Sequence, residues 1–235
     1  YVVGEPKVYR AGIRFGFETD TDDSTGSETA HATAPDLSRR AELQTAIELL
    51  TGAVQQTPPA FSAKHVNGQR AYALARKGAH VDLASVTVLV HSWSIRGVDA
   101  DRLEVEITCA GGTYIRALAR DLGRAMHSAA HCESLRREAS GPARVLDAVT
   151  LERLAPGSIA DGVVPLRPPL PLLGDVAHEP LNEVALRDVL HGRAVSATVP
   201  GARAALLHGD RIVAIATRTA DERWQPTVVL AGVDA

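Results

Sequence analysis

A chain of 235 residues allows one domain or two, and 45% hydrophobic with 23% charged residues excludes wholesale disorder and leaves enough apolar chain for a core. No apolar run approaches the ~18 residues of a membrane span, no signal-peptide pattern opens the chain, and two cysteines without zinc-ligand spacing fit a reducing, cytoplasmic setting. The net charge of −3 speaks against a polyanionic partner only until it is resolved along the chain.

Between Glu18 and Asp36 lie six acids and no Lys or Arg, whereas Gly111–Arg144 holds six arginines against three acids. The second block permits RNA contacts, and arginine suits bidentate phosphate binding, although a bias towards arginine also arises from genomic composition. In chain order, Tyr9 reads first as an ordinary aromatic on a strand. The polar run from Thr19 to Pro35 reads as a loop. Ser38 is placed to cap a helix carrying Leu43, Ile47 and Leu50, with Gly52 as its stop. Pro58 and Pro59 fix an extended stretch that either presents Phe61 and Lys64 to a ligand or forms a rigid loop with Phe61 packed. Tyr72 and Arg76 are one helical turn apart and can support each other. Val86, Val88 and Val90 alternate as a strand, and so do Leu103, Val105, Ile107 and Cys109.

The glycines Gly111 and Gly112 follow that second strand, and Ile115, Leu118, Ala119 and Leu122 then fall at helical spacing, with Gly123 offering a stop. Tyr114 and Arg116 emerge at this junction, which contains a fork. They share a face only if the chain stays extended through Arg116. Otherwise Thr113 caps the helix, Tyr114 packs and Arg116 is solvated. His131 beside Cys132 reads as structural. Pro165, Pro168, Pro169 and Pro171 make a linker. Beyond it Ala204–Leu207, a turn at Gly209–Asp210, and Ile212–Ile215 read as a hairpin, with Val228–Leu230 adding a strand. The chain has no internal repeat, nucleophile elbow, Walker-type phosphate loop or dinucleotide fingerprint.

Four segments carry a resemblance. Gly112–Thr113–Tyr114–Ile115–Arg116 through Asp121–Leu122–Gly123, then Leu135–Arg136–Arg137, resembles the tRNA pseudouridine synthase B family. Lys7–Val8–Tyr9, Gly16, Thr19–Asp20–Thr21–Asp22–Asp23 and Gly26 resemble its Lys-x-Tyr…Gly…Thr-Asp-Thr-x-Asp…Gly run. Gln56–Thr57–Pro58–Pro59–Ala60–Phe61–Ser62–Ala63 is similar to its Gln-x-Pro-Pro-x-Tyr-Ser-Ala segment, with Phe61 for the usual tyrosine. Leu181 to Leu230 looks like the small RNA-binding domain that often closes these proteins. The family's nucleophilic aspartate, in a Gly-x-Leu-Asp-x-x-Ala-x-Gly motif, has no match in this chain.

The resemblance implies an α/β (α+β) fold: a mixed, largely antiparallel sheet with flanking helices, then a small β-rich PUA-like domain. It divides the chain into a catalytic domain at 1–164, a Pro-rich linker at 165–180 and the PUA-like domain at 181–235. The implied activity is isomerisation of a uridine in the tRNA T-loop, with the base flipped out of its stack. In the implied roles, Tyr9 lies against the flipped ring, Leu135 contacts the base, Tyr114 shapes the pocket and Arg116 orients the nucleophile. Lys64, Arg136 and Arg137 would meet the RNA backbone. The expected partner is the tRNA T-arm, with no cofactor, metal, membrane or protein partner. Lacking the aspartate, the chain by itself is expected to be inactive. The competing expectation is a non-catalytic RNA-binding or tRNA-folding protein on the same scaffold.

Overall fold

The period-two runs of the sequence become the middle of a sheet. The computed structural model describes residues 5–62, 65–66, 69–70, 83–155, 168–174 and 176–230. They divide into two units, Glu5–Ala148 and a second beginning at Val149. The first unit contains β1 (Lys7–Phe15), β2 (Phe17–Thr19), β3 (Glu28–His31), α1 (Arg40–Leu49), β4 (Gly52–Gln56), the short β5 (His65–Val66) and β6 (Gln69–Arg70), β7 (Val86–Asp99), β8 (Arg102–Cys109), α2 (Ile115–Ala125), β9 (Ala130–Ser140) and β10 (Ala143–Arg144). Six of these strands form one sheet in the order β10-β9-β1-β8-β7-β4, and every neighbouring pair is antiparallel.

Alternation decides which face is covered. Leu103, Val105, Ile107 and Cys109 on β8 and Ile13 on β1 are fully buried, and they form one core with Leu118 and Leu122 of α2 and Leu43 of α1. Each such side chain contributes roughly 1.5–3 kcal/mol of hydrophobic stabilisation. The intervening residues point the other way and form surface ion pairs, Arg10–Glu104 at 2.8 Å and Arg96–Glu106 at 2.8 Å among them. Such exposed pairs add little stability and chiefly keep that face wet.

Three local expectations are corrected. Ser38 does not cap α1, because its N–H and hydroxyl both donate to Asp36 Oδ1, at 3.0 and 2.6 Å, and the helix begins after Arg39. The run from Thr19 to Pro35 is not all loop, since β3 lies within it and pairs antiparallel with β2. Gly123 does not stop α2, which continues to Ala125. A Cβ at Gly123 would sit 2.5 Å from the Ala130 backbone nitrogen, so glycine there lets the helix lie against the start of β9. His131 is structural as expected: buried, stacked on Phe17 with ring centroids 4.4 Å apart.

The second unit holds β11 (Ala177–Pro180), α3 (Glu183–Leu190), β12 (Val195–Ser196), β13 (Arg203–His208), β14 (Arg211–Arg218) and β15 (Arg223–Val229), with sheet order β11-β13-β14-β15-β12. The hairpin expected around Gly209–Asp210 is β13–β14, and β15 contains the expected third strand up to Val229. Its core centres on Trp224, fully buried, whose Nε1 donates to the buried Glu179 carboxylate at 2.7 Å. Thr198 and Val199 also donate to Glu179, so this carboxylate is buried with its acceptors satisfied. Asn182 caps α3 by accepting from Ala185 N at 2.9 Å. Of the expected Pro-rich linker, residues 165–167 and 175 lie outside the described residues, while Leu170–Leu173 forms a 3-10 turn and Ala177–Pro180 is β11, so the sheet of the second unit begins inside that stretch. Among the described residues, no helix is long and apolar enough to cross a membrane.

Candidate active site

The junction between β8 and α2 builds the site. Gly112 turns the chain at φ +85°, and Thr113 Oγ1 donates to Ala110 O at 2.9 Å rather than capping the helix. Tyr114 remains extended (φ −96°, ψ 104°) as the residue before α2. Its backbone is clamped by Gln56, fully buried at the end of β4. Gln56 Oε1 accepts from Tyr114 N at 2.8 Å, and Gln56 Nε2 donates to Tyr114 O at 3.1 Å. The side-chain amide thus acts as a short piece of strand.

Neither branch of the fork at Tyr114 and Arg116 survives intact. The helix has begun by Arg116, so the two residues do not share an extended face, yet Arg116 is not solvated. Its Nη1 donates to Thr21 O at 3.0 Å and Asp23 Oδ2 at 2.8 Å, and its Nη2 donates to Phe61 O at 2.9 Å. One guanidinium therefore joins the Thr19–Asp23 segment to the Gln56–Phe61 segment. Hydrogen bonds from Thr25, Thr21 and Arg116 outweigh the opposing effect of burial and hold the Asp23 carboxyl below its ordinary value.

Arg120 and Arg124 follow at four-residue intervals and so share the face of Arg116. Arg120 donates to Asp22 Oδ2 at 2.7 Å, Thr57 O at 2.9 Å and Asp121 Oδ1 at 2.9 Å. Arg124 grips Glu18 with two bonds, 2.7 and 2.8 Å. Half of the acidic block and half of the arginine block therefore neutralise each other, Arg116 and Arg120 in largely buried pairs and Arg124 from the surface. This corrects the charge reading: Arg116, Arg120 and Arg124 are occupied by Glu18, Asp22 and Asp23 rather than laid out as a cationic surface. The segment they hold also docks on β9, through Cys132 N donating to Asp22 O at 3.0 Å and Ser24 N to Cys132 O at 3.2 Å. Burial, with the nearby Asp23 charge adding and Arg116 opposing, pushes the Cys132 thiol up to about 12, so it stays protonated.

The register of β1 and β9 sorts the remaining candidates. Tyr9 lies opposite Arg137 and Ala11 opposite Leu135, whereas Arg10 lies opposite Arg136. Directly opposed residues share a face. Tyr9, Leu135 and Arg137 thus lie on the side of the sheet that α2 covers further along, and Arg136 lies on the ion-paired side, 3.3 Å from Glu138. Tyr9 packs partly against the core, and Leu135 is 46% exposed, an uncovered apolar side chain beside an aromatic one. Lys64, Tyr72 and Arg76 lie outside the described residues. Among the described residues, no cluster of His, Cys, Asp and Glu has the makings of a metal site. Gln56, Asp22 and Arg120 had no role in the sequence reading. Two opposed charge blocks, one with arginines at a spacing of four, were the signal that could have found the ion pairs.

Residues 1–115 match the model of the TruB family pseudouridylate synthase N-terminal domain. Relatives named tRNA pseudouridine synthase B include those of Solibacter usitatus, 34% identical over 235 residues (95% of this chain, 78% of the relative), and Symbiobacterium thermophilum, 38% identical over 195 residues (82% and 63%). That of Arthrobacter sp. strain FB24 is 44% identical over 161 residues, 66% of this chain and 52% of the relative. The chain spans about half to two thirds of the length of the first of these relatives. In fold it is similar to a solved H/ACA RNP bound to a substrate RNA containing 2'-deoxyuridine, with TM-score 0.68 and 16% identity over 99% of this chain and 68% of that one.

Proposed function

Because the chain belongs to the TruB family of pseudouridylate synthases, we propose that it carries most of the pocket of a tRNA pseudouridine synthase acting on a T-loop uridine in the cytoplasm. The observation that supports this best is the exposed Leu135 beside Tyr9 and Arg137 on one face of two adjacent strands. An aromatic ring, an aliphatic side chain and a cation together suit a flipped pyrimidine and its phosphate. Tyr9 lies along the ring, Leu135 touches the base and Arg137 meets the backbone. Tyr114, fixed by Gln56, shapes the wall. Arg116 engages Thr21, Asp23 and Phe61 among the described residues, and the five N–H donors of a guanidinium leave it others with which to orient a further carboxylate.

No segment matches the family's nucleophile motif, and Asp23, the carboxylate paired with Arg116, aligns with a different family segment. We therefore expect the chain alone to bind a T-arm stem-loop and form no pseudouridine. A pseudouridine-specific chemical label on that stem-loop tests both halves. Turnover by the chain would overturn the assignment of the nucleophile. Absence of binding would overturn the RNA reading, and binding without turnover even in a protein that includes the aspartate motif would favour a tRNA-folding role.

A further inference from the structure

Asp22 and Arg120 form an ion pair that the proposed chemistry does not use. Asp22 falls at a position where the family pattern is open, the x of Thr-Asp-Thr-x-Asp. Yet the two side chains of the pair are only 8% and 10% exposed, 2.7 Å apart. Asp22 also sits at φ +58°, a left-handed conformation that Asp and Asn adopt more readily than other residues with side chains. Arg120 extends the contact by donating to Thr57 O at 2.9 Å. The pair thus ties together, one helical turn further along, the same two segments that Arg116 joins through Thr21, Asp23 and Phe61.

Resting on the RNA-binding reading above, we infer that Arg120 and Asp22 are positioning residues: they hold the 19–23 and 57–61 segments in register so that Arg116, braced by Asp23, is kept in one fixed arrangement at the edge of the proposed RNA pocket. The electrostatics indicate what this costs. Burial pushes the Asp22 carboxyl up to about 6, with Asp121 and Glu18 adding to the rise and Arg120 and Arg124 only partly opposing it. At neutral pH its charge is therefore held against the stability of the unit. A buried pair that costs stability fits a role in fixing local geometry better than one in holding the fold together.

The test separates stability from order in the full chain. Asp22→Asn keeps the shape and an acceptor but removes the charge. Asp22→Asn with Arg120→Met removes both charges without leaving one buried alone. Both variants should unfold at or above the wild-type temperature at pH 7. Amide exchange in residues 19–23 and 57–61 should nevertheless quicken at least ~10-fold, and affinity for a fluorescein-labelled T-arm stem-loop should fall about 10-fold. A merely structural role predicts that stability, exchange and affinity move together. Wild-type exchange in both segments overturns the inference whether or not RNA binds. Quickened exchange with wild-type affinity overturns its link to RNA. A wild-type chain that binds no stem-loop removes the RNA reading, while the exchange data still decide whether the pair positions the segments.

Discussion

Arg116 reaches three oxygens in two separate segments, a geometry that depends on the width of the guanidinium plane. Lysine at this position keeps the charge but can satisfy only part of that set. Arg116→Lys should therefore lower stability by about 1–3 kcal/mol in urea unfolding. It should also let the Asp23 carboxyl titrate closer to its ordinary value, followed by NMR, because one of the bonds that hold it down is weakened. Unchanged stability and titration would show that the partners rearrange around a lysine. Gln56 makes a sharper case. Gln56→Leu leaves the Tyr114 N–H without its partner, at roughly 1–3 kcal/mol, while the Tyr114 C=O keeps its bond from Leu118 N at 3.1 Å. A calorimetric loss below about 1 kcal/mol would mean that water enters and replaces the amide.

At the scale of elements, α2 is the spine on which the candidate site hangs, and β9 is its floor. The register places Arg136 and Arg137 on opposite faces although they are adjacent in sequence, so their contributions to RNA affinity should differ. Arg137→Ala should reduce the slope of log affinity against log salt by about 1, and Arg136→Ala should leave it nearly unchanged. Equal effects would place the RNA across both faces. The helix and the central strands were legible in the sequence because Leu103, Val105, Ile107 and Cys109, then Ile115, Leu118 and Leu122, repeat with the periods of their elements. The partners of Arg116, Arg120 and Arg124 were not legible, because groups 93 to 106 residues apart carry no period that states their pairing. Gly123 misled for a related reason. Glycine commonly ends helices, but here a long-range approach by Ala130 requires it. The face on which Leu135 emerges depends on the bulges along β9, and nothing local in the sequence fixes these.

Across the whole chain, the two units carry buried carboxylates whose acid responses have opposite signs. In the first unit the Asp22 carboxyl is pushed up to about 6 in the folded form, above its ordinary value of 3.8. Protonation therefore favours the folded form, and this group adds stability as pH falls through 6 towards 4, up to about 3 kcal/mol. In the second unit burial disfavours the Glu179 charge, but the donors Thr198, Trp224 and Val199 outweigh it and hold this carboxyl below its ordinary value of 4.5. Its contribution is complete above pH 4.5 and is lost as pH falls through the folded value. If the units unfold separately, calorimetry between pH 7 and 5 should show one transition rising by several degrees while the other stays in place. Below pH 4.5 the second transition should fall. Asp22→Asn should flatten the rise by giving the first unit its acid-stabilised state at pH 7. Glu179→Gln should lower the second transition at neutral pH and blunt its acid loss, since the amide accepts fewer strong bonds in the same buried place. A single transition at every pH would show that the two units unfold as one. Two transitions that both fall between pH 7 and 5 would mean that Asp22 does not control the acid response of its unit.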